Sequence, residues 1–516
     1  MTKNLQYDKT IPAIKVQQWM DEWNNVKWDA KSFRSKPEPC FYMFSIKASV
    51  LKALSGIYPR STKTRSSATE DTGIQRRHEP ERSEEICRFI CYGYPWSTLN
   101  DKQRSSGQFE DLRKPGWLPT AIVVNILRPG DKRQDKKVAP DDLVTIETNE
   151  DNSIKINLPQ SFTGDSWKAK NISPIEIIDG QHRLWAFEDP ELKDDFQLPV
   201  VAFYGLDISW QAYLFYTINI KPKKINASLA FDLYPLLRTE DWLEKFEGHI
   251  IYRETRAQEL VDLLWSHPQS PWHKRINMLG EPGTKGLMVS QAAWIRSLLA
   301  TYIRSWEGPR IRIGGLFGAQ VGSHKQVLPW SRTEQAAFLI VAGIYFKKAV
   351  ENTKESWVKT LRQQKQMSLP SIINKEDLAF YGPNTLINQD QGVRAFLHVT
   401  NDLCYINADK LGLAKWEYSE DSTGGKDKEI TVAVAALQKS NIGEFLKSIS
   451  EKLALYDWRA SDAPGLSEEE QLYKAAFRGG GGYKELRRHL LLHLKKQGGP
   501  DIDSAATEVL RLIGYK

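Results

Sequence analysis

Short β-branched segments alternate with helical patterns between about residues 72 and 235, and only a few folds accommodate this order. The predicted elements of this segment are strands over 119–127, 175–178 and 198–204 and helices over 84–92 and 209–218. Strands that alternate with helices in units of this size are typical of an α/β domain. The sequence therefore predicts an α/β core in this part of the chain.

The remaining sequence divides into three further segments. Residues 1–71 contain N-terminal elements that we expect to join the core, including a strand over 41–46. Helical patterns prevail from 236, which predicts a helical domain over 236–420 and a C-terminal helical region over 421–516. A long polar insert covers residues 128–174, and the sequence assigns it no role.

Two details of the helical half can be compared directly with a structure. Ser331 and Glu334 form a capping box ahead of the apolar run 336–346, which predicts a buried helix. Strand patterns are sparse here, and the two candidates are residues 310–313 and 429–432.

Composition indicates an ordinary globular protein. Of 516 residues, 41% are hydrophobic and 26% are charged. No apolar run is long enough to cross a bilayer, and the first residues carry no apolar signal region, so we expect a cytoplasmic protein without a membrane partner. Four cysteines are too few for a disulfide framework; Cys87 and Cys91 share a helix face, and we favour core thiols over half of a metal site.

The groups that phosphate chemistry uses occur together in Asp179-Gly180-Gln181-His182-Arg183, at a predicted strand-to-helix junction. The sequence has no P-loop, HExxH, GxSxG or paired CxxC motif, so nucleotide chemistry would need another device such as this one. A helix N-terminus attracts anions, and Gly180 lets the backbone approach a ligand closely. Arg183 could grip a phosphate, Asp179 could hold a divalent cation or accept a proton, and His182 could ligate a metal or act as an acid or base.

A purely structural interpretation of the same residues stays open. Asp179 could cap the helix, and His182 and Arg183 could pair with nearby carboxylates. For any one of these residues taken alone, the structural role is favoured. For all five together on one turn, a functional role is favoured over a purely structural one.

The sequence DGQHR is the signature of the DGQHR-domain family, which this chain resembles. The order of the surrounding motifs is also similar to the ParB/sulfiredoxin superfamily. The matching segments are an arginine-bearing stretch at 75–82, a helix over 83–93, strands over 118–124 and 199–201, and a helix over 214–219. The resemblance covers about residues 40–235, and the insert before Asp179 departs from the pattern. It implies an α/β (α+β) ParB/sulfiredoxin-like core, with a large, mainly helical C-terminal region.

The resemblance also implies a function. DpdB-type members are similar to ATPases that assist a transglycosylase in placing a 7-deazaguanine base in DNA, and DndB-type members resemble DNA-binding repressors of phosphorothioation operons. The length of the chain and its helical C-terminal half favour the DpdB type, with ATP and Mg²⁺ as cofactors and with DNA and a transglycosylase as partners. A DndB-type regulator and a ParB-like nuclease are the alternatives.

The ATPase interpretation assigns a role to each residue of the motif. Arg183 and Gly180 would bind the phosphates, Asp179 would bind Mg²⁺, His182 would stabilise charge or move a proton, and Gln181 would orient water or the nucleotide. The superfamily pattern adds three supporting nucleotide contacts, which are Gln75, Arg76 and Asn219.

A basic helix over 484–496 is the candidate DNA contact. Its leucines recur every four residues and its opposite face is rich in lysine and arginine. An amphipathic helix with a solvated basic face is favoured over DNA binding. The net charge of +7 permits a polyanionic partner without requiring one. The residues that would contact DNA are Arg487, Arg488, Lys495 and Lys496.

Overall fold

The chain forms two compact units, Met1–Lys224 and Ile225–Lys516. The structure is a computed structural model, and it describes residues 9–29, 35–56, 79–107, 109–133, 136–151, 153–189, 192, 196–219, 228, 250–280, 288–304, 312–363, 376–416, 418 and 426–515. The four-segment division expected from the sequence is finer than these two units and stays a prediction.

The first unit is built on a mixed eight-stranded sheet with the order β3-β9-β4-β10-β2-β1-β8-β7. Its strands are β1 (Thr10–Gln17), β2 (Cys40–Lys47), β3 (Ser55–Gly56), β4 (Ile122–Ile126), β7 (Thr145–Thr148), β8 (Ile154–Asn157), β9 (Ile175–Asp179) and β10 (Gln197–Tyr204), while β5 (Lys132–Arg133) and β6 (Lys136–Lys137) form a separate small hairpin. Strand β4 is parallel to β10 and antiparallel to β9. The observed mixed α/β architecture agrees with the predicted class.

Burial explains where these strands form. In β2 the side chains alternate, with Tyr42, Phe44 and Ile46 buried and the residues between them more exposed, as the sequence pattern predicts. Strand β9 is buried almost throughout, since Ile175, Glu176, Ile177 and Ile178 all lie inside. The insert at 128–174 supplies β7 and β8, which pair antiparallel and extend the sheet beyond β1.

Helices cover parts of this sheet in the first unit. They are α1 (Ala48–Leu54), α2 (Pro80–Tyr92), α3 (Asp101–Ser105), α4 (Gln181–Trp185) and α5 (Ile208–Asn219). The predicted helices over 84–92 and 209–218 correspond to α2 and α5, and each is slightly longer than expected.

The second unit is mainly helical, with one two-stranded pair, β11 (Ile276–Asn277) and β12 (Val289–Ser290), among its described residues. Its helices are α6 (Ile250–Ser266), α7 (Gln291–Ala300), α8 (Arg332–Asn352), α9 (Ser356–Arg362), α10 (Leu378–Tyr381), α11 (Asp390–Ile406), α12 (Ala408–Leu411), α13 (Lys426–Gln438), α14 (Asn441–Leu453), α15 (Glu468–Ala475), α16 (Gly479–Gln497) and α17 (Pro500–Leu512). The capping box of Ser331 and Glu334 is present at the start of α8, and the run 336–346 supplies many of its buried residues.

Two predicted elements differ from the structure. Residues 429–432 form part of helix α13 and not a strand, because Ile430, Ala433 and Leu437 are buried on one helical face. Of the second candidate, residues 310 and 311 lie outside the described part, and 312–313 are not in a strand. In the part of the chain that the structure describes, no helix combines the length and the hydrophobicity that spanning a bilayer requires.

Candidate functional site

The DGQHR motif lies where strand β9 ends and helix α4 begins. Antiparallel pairing of β9 with β4 shifts register by one residue between Val123 and Val124, so that Asp179 pairs with Val123 and Ile177 pairs with Val124. Such an irregularity re-aims the side chains at a strand end. Gly180 then adopts a φ of +96°, a left-handed conformation that glycine accepts readily. Helix α4 has only five residues, so its dipole is small and the anion site expected at its N-terminus gains little support.

Arg183 ties the turn to the start of strand β4. Its Nη1 donates to the Thr120 carbonyl oxygen at 2.5 Å, to Thr120 Oγ1 at 2.6 Å and to the Ala121 carbonyl oxygen at 3.2 Å. Its Nη2 donates to Asp179 Oδ2 at 2.7 Å. The antiparallel pairing of β4 with β9 explains this proximity, because residues 120–121 precede the strand that lies beside Asp179. Arg183 thus positions Asp179, and a phosphate would have to compete with these protein acceptors for its guanidinium.

Asp179 is held from a second side by the last residue of α5. Asn219 Nδ2 donates to Asp179 Oδ1 at 3.1 Å and to the Phe215 carbonyl oxygen at 3.1 Å. Asn219 therefore both caps its own helix and joins the motif. The side chain of Asp179 is 19% exposed, which leaves the carboxylate accessible to a small ligand.

Gln181 and His182 form a buried pair beside this carboxylate. Gln181 Nε2 lies 3.2 Å from His182 Nε2. The backbone carbonyl of His182 accepts a hydrogen bond from Ser83 Oγ on helix α2 at 3.3 Å, which fastens the turn to that helix. Gln181 is only 6% exposed, and its Oε1 accepts no hydrogen bond from the described residues. A buried amide oxygen without a donor is uncommon in folded proteins and marks this pair as a place for a polar ligand.

These side chains share one cavity of about 670 Å³, a volume typical of small-molecule sites. The five residues of the motif and Asn219 line one part of it. Helix α2 contributes Arg82, Glu85 and Phe89, and helix α5 adds Phe215. The cavity therefore combines a carboxylate, an amide and an imidazole with exposed charged groups and two aromatic rings.

A second cavity of the same unit, about 700 Å³, has a different character. Its walls are mostly apolar and include Trp19, Trp23, Trp28 and Trp210. These rings pack against one another, with centroids 5.4 Å apart for Trp19 and Trp23 and 6.0 Å apart for Trp28 and Trp210. We place the candidate site at the polar cavity because the acid, amide, imidazole and guanidinium groups meet there.

The described residues of the polar cavity do not form the ligand set of a resident metal ion. Within the described ranges, no three His, Cys, Asp or Glu side chains come together as a metal site, and both oxygens of Asp179 already accept protein hydrogen bonds. Mg²⁺ in nucleotide sites commonly takes one or two carboxylates and completes its shell with phosphates and water. The predicted role of Asp179 as a metal ligand is therefore consistent only with a Mg²⁺ site of this kind, in which phosphates and water supply the other ligands.

The structure places the other predicted site residues as follows. Gln75 and Arg76 lie outside the described residues. In the second unit, Arg487 forms an ion pair with the fully buried Asp402 and its side chain is 12% exposed, a placement that does not fit the predicted DNA contact. Arg488 pairs with Glu485 on the same helix at 3.0 Å.

Lys495 and Lys496 are exposed on α16, and the leucines at 486, 490 and 494 are buried, as the amphipathic pattern predicts. Cys87 is buried, and burial raises the pKa of its thiol to about 12, which suits a core thiol. Cys87 and Cys91 belong to no described metal-binding group.

Sequence reasoning missed Arg82 as a site residue. It lies in the first turn of α2, it is exposed, and it lines the polar cavity. The segment 75–82 contains several arginines, but nothing in the sequence indicates which of them reaches the cavity.

Comparisons with sequence families, with curated proteins and with solved structures find no match for this chain.

Proposed function

We propose that the polar cavity of the first unit binds a nucleotide, ATP by preference, and that the chain hydrolyses it. The observation that carries this proposal is the meeting of Asp179, Gln181 and His182 with Arg82 around one cavity of about 670 Å³. A buried amide oxygen without a donor, on Gln181, adds a specific place for a hydrogen-bond donor of the ligand.

Each residue has a role that follows from its contacts. Arg82 is exposed at the cavity and meets the phosphates, because its guanidinium can bind two phosphate oxygens at once. Arg183 and Asn219 hold Asp179 in place through the bonds described above. Asp179 orients the attacking water or accepts its proton, and His182 stabilises the developing charge. Phe89 and Phe215 offer faces for a purine base.

ATP turnover in the presence of Mg²⁺ tests this proposal on the full chain. For Asp179→Ala we expect kcat to fall by about 100-fold or more, since general acid–base groups contribute 10²–10⁴-fold. Arg82→Gln should raise KM about tenfold through the loss of a charge-assisted contact. The matched control is Arg88→Gln, which changes an arginine of the same helix that does not line the cavity. Each variant is first shown to be folded by thermal melting.

The wider proposal rests on the resemblance of the DGQHR motif. In it, the first unit is a ParB/sulfiredoxin-like domain, and ATP hydrolysis supports the insertion of a 7-deazaguanine base into DNA by a partner transglycosylase. Three results separate this proposal from the alternatives. Turnover that depends on Asp179 supports it. Absent turnover with retained DNA binding would instead favour a DndB-type regulator, and plasmid nicking in Mg²⁺ alone would favour a nuclease.

A further inference from the structure

The second unit contains a small cavity of about 270 Å³ with a strongly basic lining. Four of its lining residues are cations: Arg304, Arg312, Lys484 and Arg487. Arg304 follows helix α7, Lys484 and Arg487 lie one turn apart on helix α16, and Tyr515 closes the cavity near the end of helix α17. None of the cavity's lining side chains is acidic.

Among the described residues, charge is not balanced around this cavity. Asp402, which is fully buried, forms an ion pair with Arg487, and within the described residues it is the only carboxylate paired with any of the four cations. Burial lowers the pKa of the Arg304 guanidinium, and the nearby charge of Arg487 lowers it further, while Asp402 opposes both effects. Two largely buried guanidinium groups thus share one carboxylate, an arrangement that is unfavourable unless another anion approaches.

Two donors at this place also lack acceptors. The Nε atoms of Arg487 and Arg304 are buried and donate no hydrogen bond to the described residues, whereas Arg487 Nη2 is engaged in the ion pair with Asp402. Arg304 Nη2 donates to the Ile313 carbonyl oxygen, so only part of its guanidinium is satisfied. Unsatisfied charged donors are among the most unfavourable buried groups, and an anion in the adjoining cavity would satisfy them.

We propose that this cavity binds a terminal phosphate group, of the kind found in pyrophosphate and in phosphate monoesters. A terminal phosphate carries more charge than a phosphodiester, which suits four cations of which, among the described residues, only Arg487 is paired with a carboxylate. Guanidinium groups bind such a group through paired hydrogen bonds. The side chain of Arg487 is 12% exposed and lies at the inner wall, so a small phosphate group can reach it, whereas the backbone of a DNA duplex would meet only the rim. This site is separate from the nucleotide cavity of the first unit and does not depend on its function.

Calorimetric titration of the full chain with pyrophosphate tests the proposal. Lys484 and Arg312 are exposed at the rim, so Lys484→Gln and Arg312→Gln should leave folding intact. We expect each of them to weaken pyrophosphate binding about tenfold, because each removes one charge-assisted contact. The control is Lys495→Gln, an exposed lysine of the same helix outside the cavity, which should bind as the unaltered chain does.

A further variant, Arg82→Gln, serves as the control for pyrophosphate binding in the nucleotide cavity of the first unit. Arg82→Gln should leave the binding that depends on Lys484 unchanged. Pyrophosphate binding that is lost in Arg82→Gln and retained in Lys484→Gln would place the ligand in the first unit and overturn the proposal. Absence of any binding at millimolar pyrophosphate would overturn it as well.

Two further ligands distinguish the source of the phosphate. A single-stranded oligonucleotide with a 5′-phosphate is compared with the same oligonucleotide carrying a 5′-hydroxyl. Binding that needs both the 5′-phosphate and Lys484 supports the site and identifies a DNA end as the source, while binding of pyrophosphate alone supports the site and identifies a small metabolite. Equal, Lys484-dependent binding of both oligonucleotides would show backbone recognition and contradict the proposal.

Discussion

Replacing Gly180 by alanine tests the geometry of the turn on which the candidate site depends. Gly180 has a φ of +96°, and a side chain in a left-handed conformation costs about 1–2 kcal/mol. The new Cβ would also lie 2.6 Å from Ile122 Cδ1 and 3.0 Å from Arg183 Nη2. Ile122 is fully buried, and overpacking of this kind costs about 1–3 kcal/mol. Together we expect Gly180→Ala to lower the free energy of unfolding by roughly 2–5 kcal/mol.

The chain offers a matched control in Gly130. It has the same φ of +96°, but a Cβ at this position would meet nothing within 4 Å. Gly130→Ala therefore measures the backbone cost alone, and the difference between the two variants isolates the contacts of the new Cβ with Ile122 and Arg183. We expect that difference to be about 1–3 kcal/mol. Hydrogen exchange of peptides from β4 and β9 in increasing urea reports the stability of this unit within the full chain. Equal destabilisation by the two variants would show that the turn does not pack against Ile122 and would refute the reasoning.

Three other predictions concern stability and reactivity. Arg487→Ala leaves the buried Asp402 without its ion-pair partner and should lower the free energy of unfolding by about 3 kcal/mol, whereas Arg488→Ala should lower it by less than about 1 kcal/mol in the same urea titration. Burial, aided by nearby arginines, lowers the pKa of His398 well below its usual value, so the unfolded chain takes up a proton that the folded chain refuses. Stability should therefore fall as the pH drops below about 6.5, by up to about 1.4 kcal/mol per pH unit for this residue, and His398→Gln should flatten the profile; an unchanged profile would contradict this. Because the pKa of Cys87 is about 12, iodoacetamide at pH 8 should leave it unmodified in the folded chain and label it in urea, as peptide mass spectrometry would show.

The fold was predictable where burial dictates the sequence pattern. The alternation in β2 and the apolar run of β9 follow from one or both faces of a strand being covered, and both strands lie where the sequence places them. Strands β7 and β8 were missed, because each has only four residues and its pairing is fixed by contacts with distant residues of β1. In α13, β-branched residues favoured a strand, but burial of one helical face decides the structure.

The candidate site was predictable as a sequence motif but not as an arrangement. The hydrogen bond from Asn219 to Asp179 joins residues that lie 40 positions apart in the sequence. The bonds from Arg183 to Thr120 span 63 residues, and a local pattern contains no information about such a partner. The location of Arg82 depends in the same way on how helix α2 packs, which is decided by buried residues elsewhere on that helix.

Photo-crosslinking with 8-azido-ATP and Mg²⁺, followed by peptide mapping, tests the central claim most directly. The probe places a reactive group on the purine, so the labelled residue reports where the base lies. We predict labelling of peptides from α2 or α5, near Phe89 and Phe215, with competition by unmodified ATP and loss of labelling in Arg82→Gln. Competable labelling confined to the second unit, or competable labelling that Arg82→Gln leaves unchanged, would contradict the assignment of the nucleotide to this cavity.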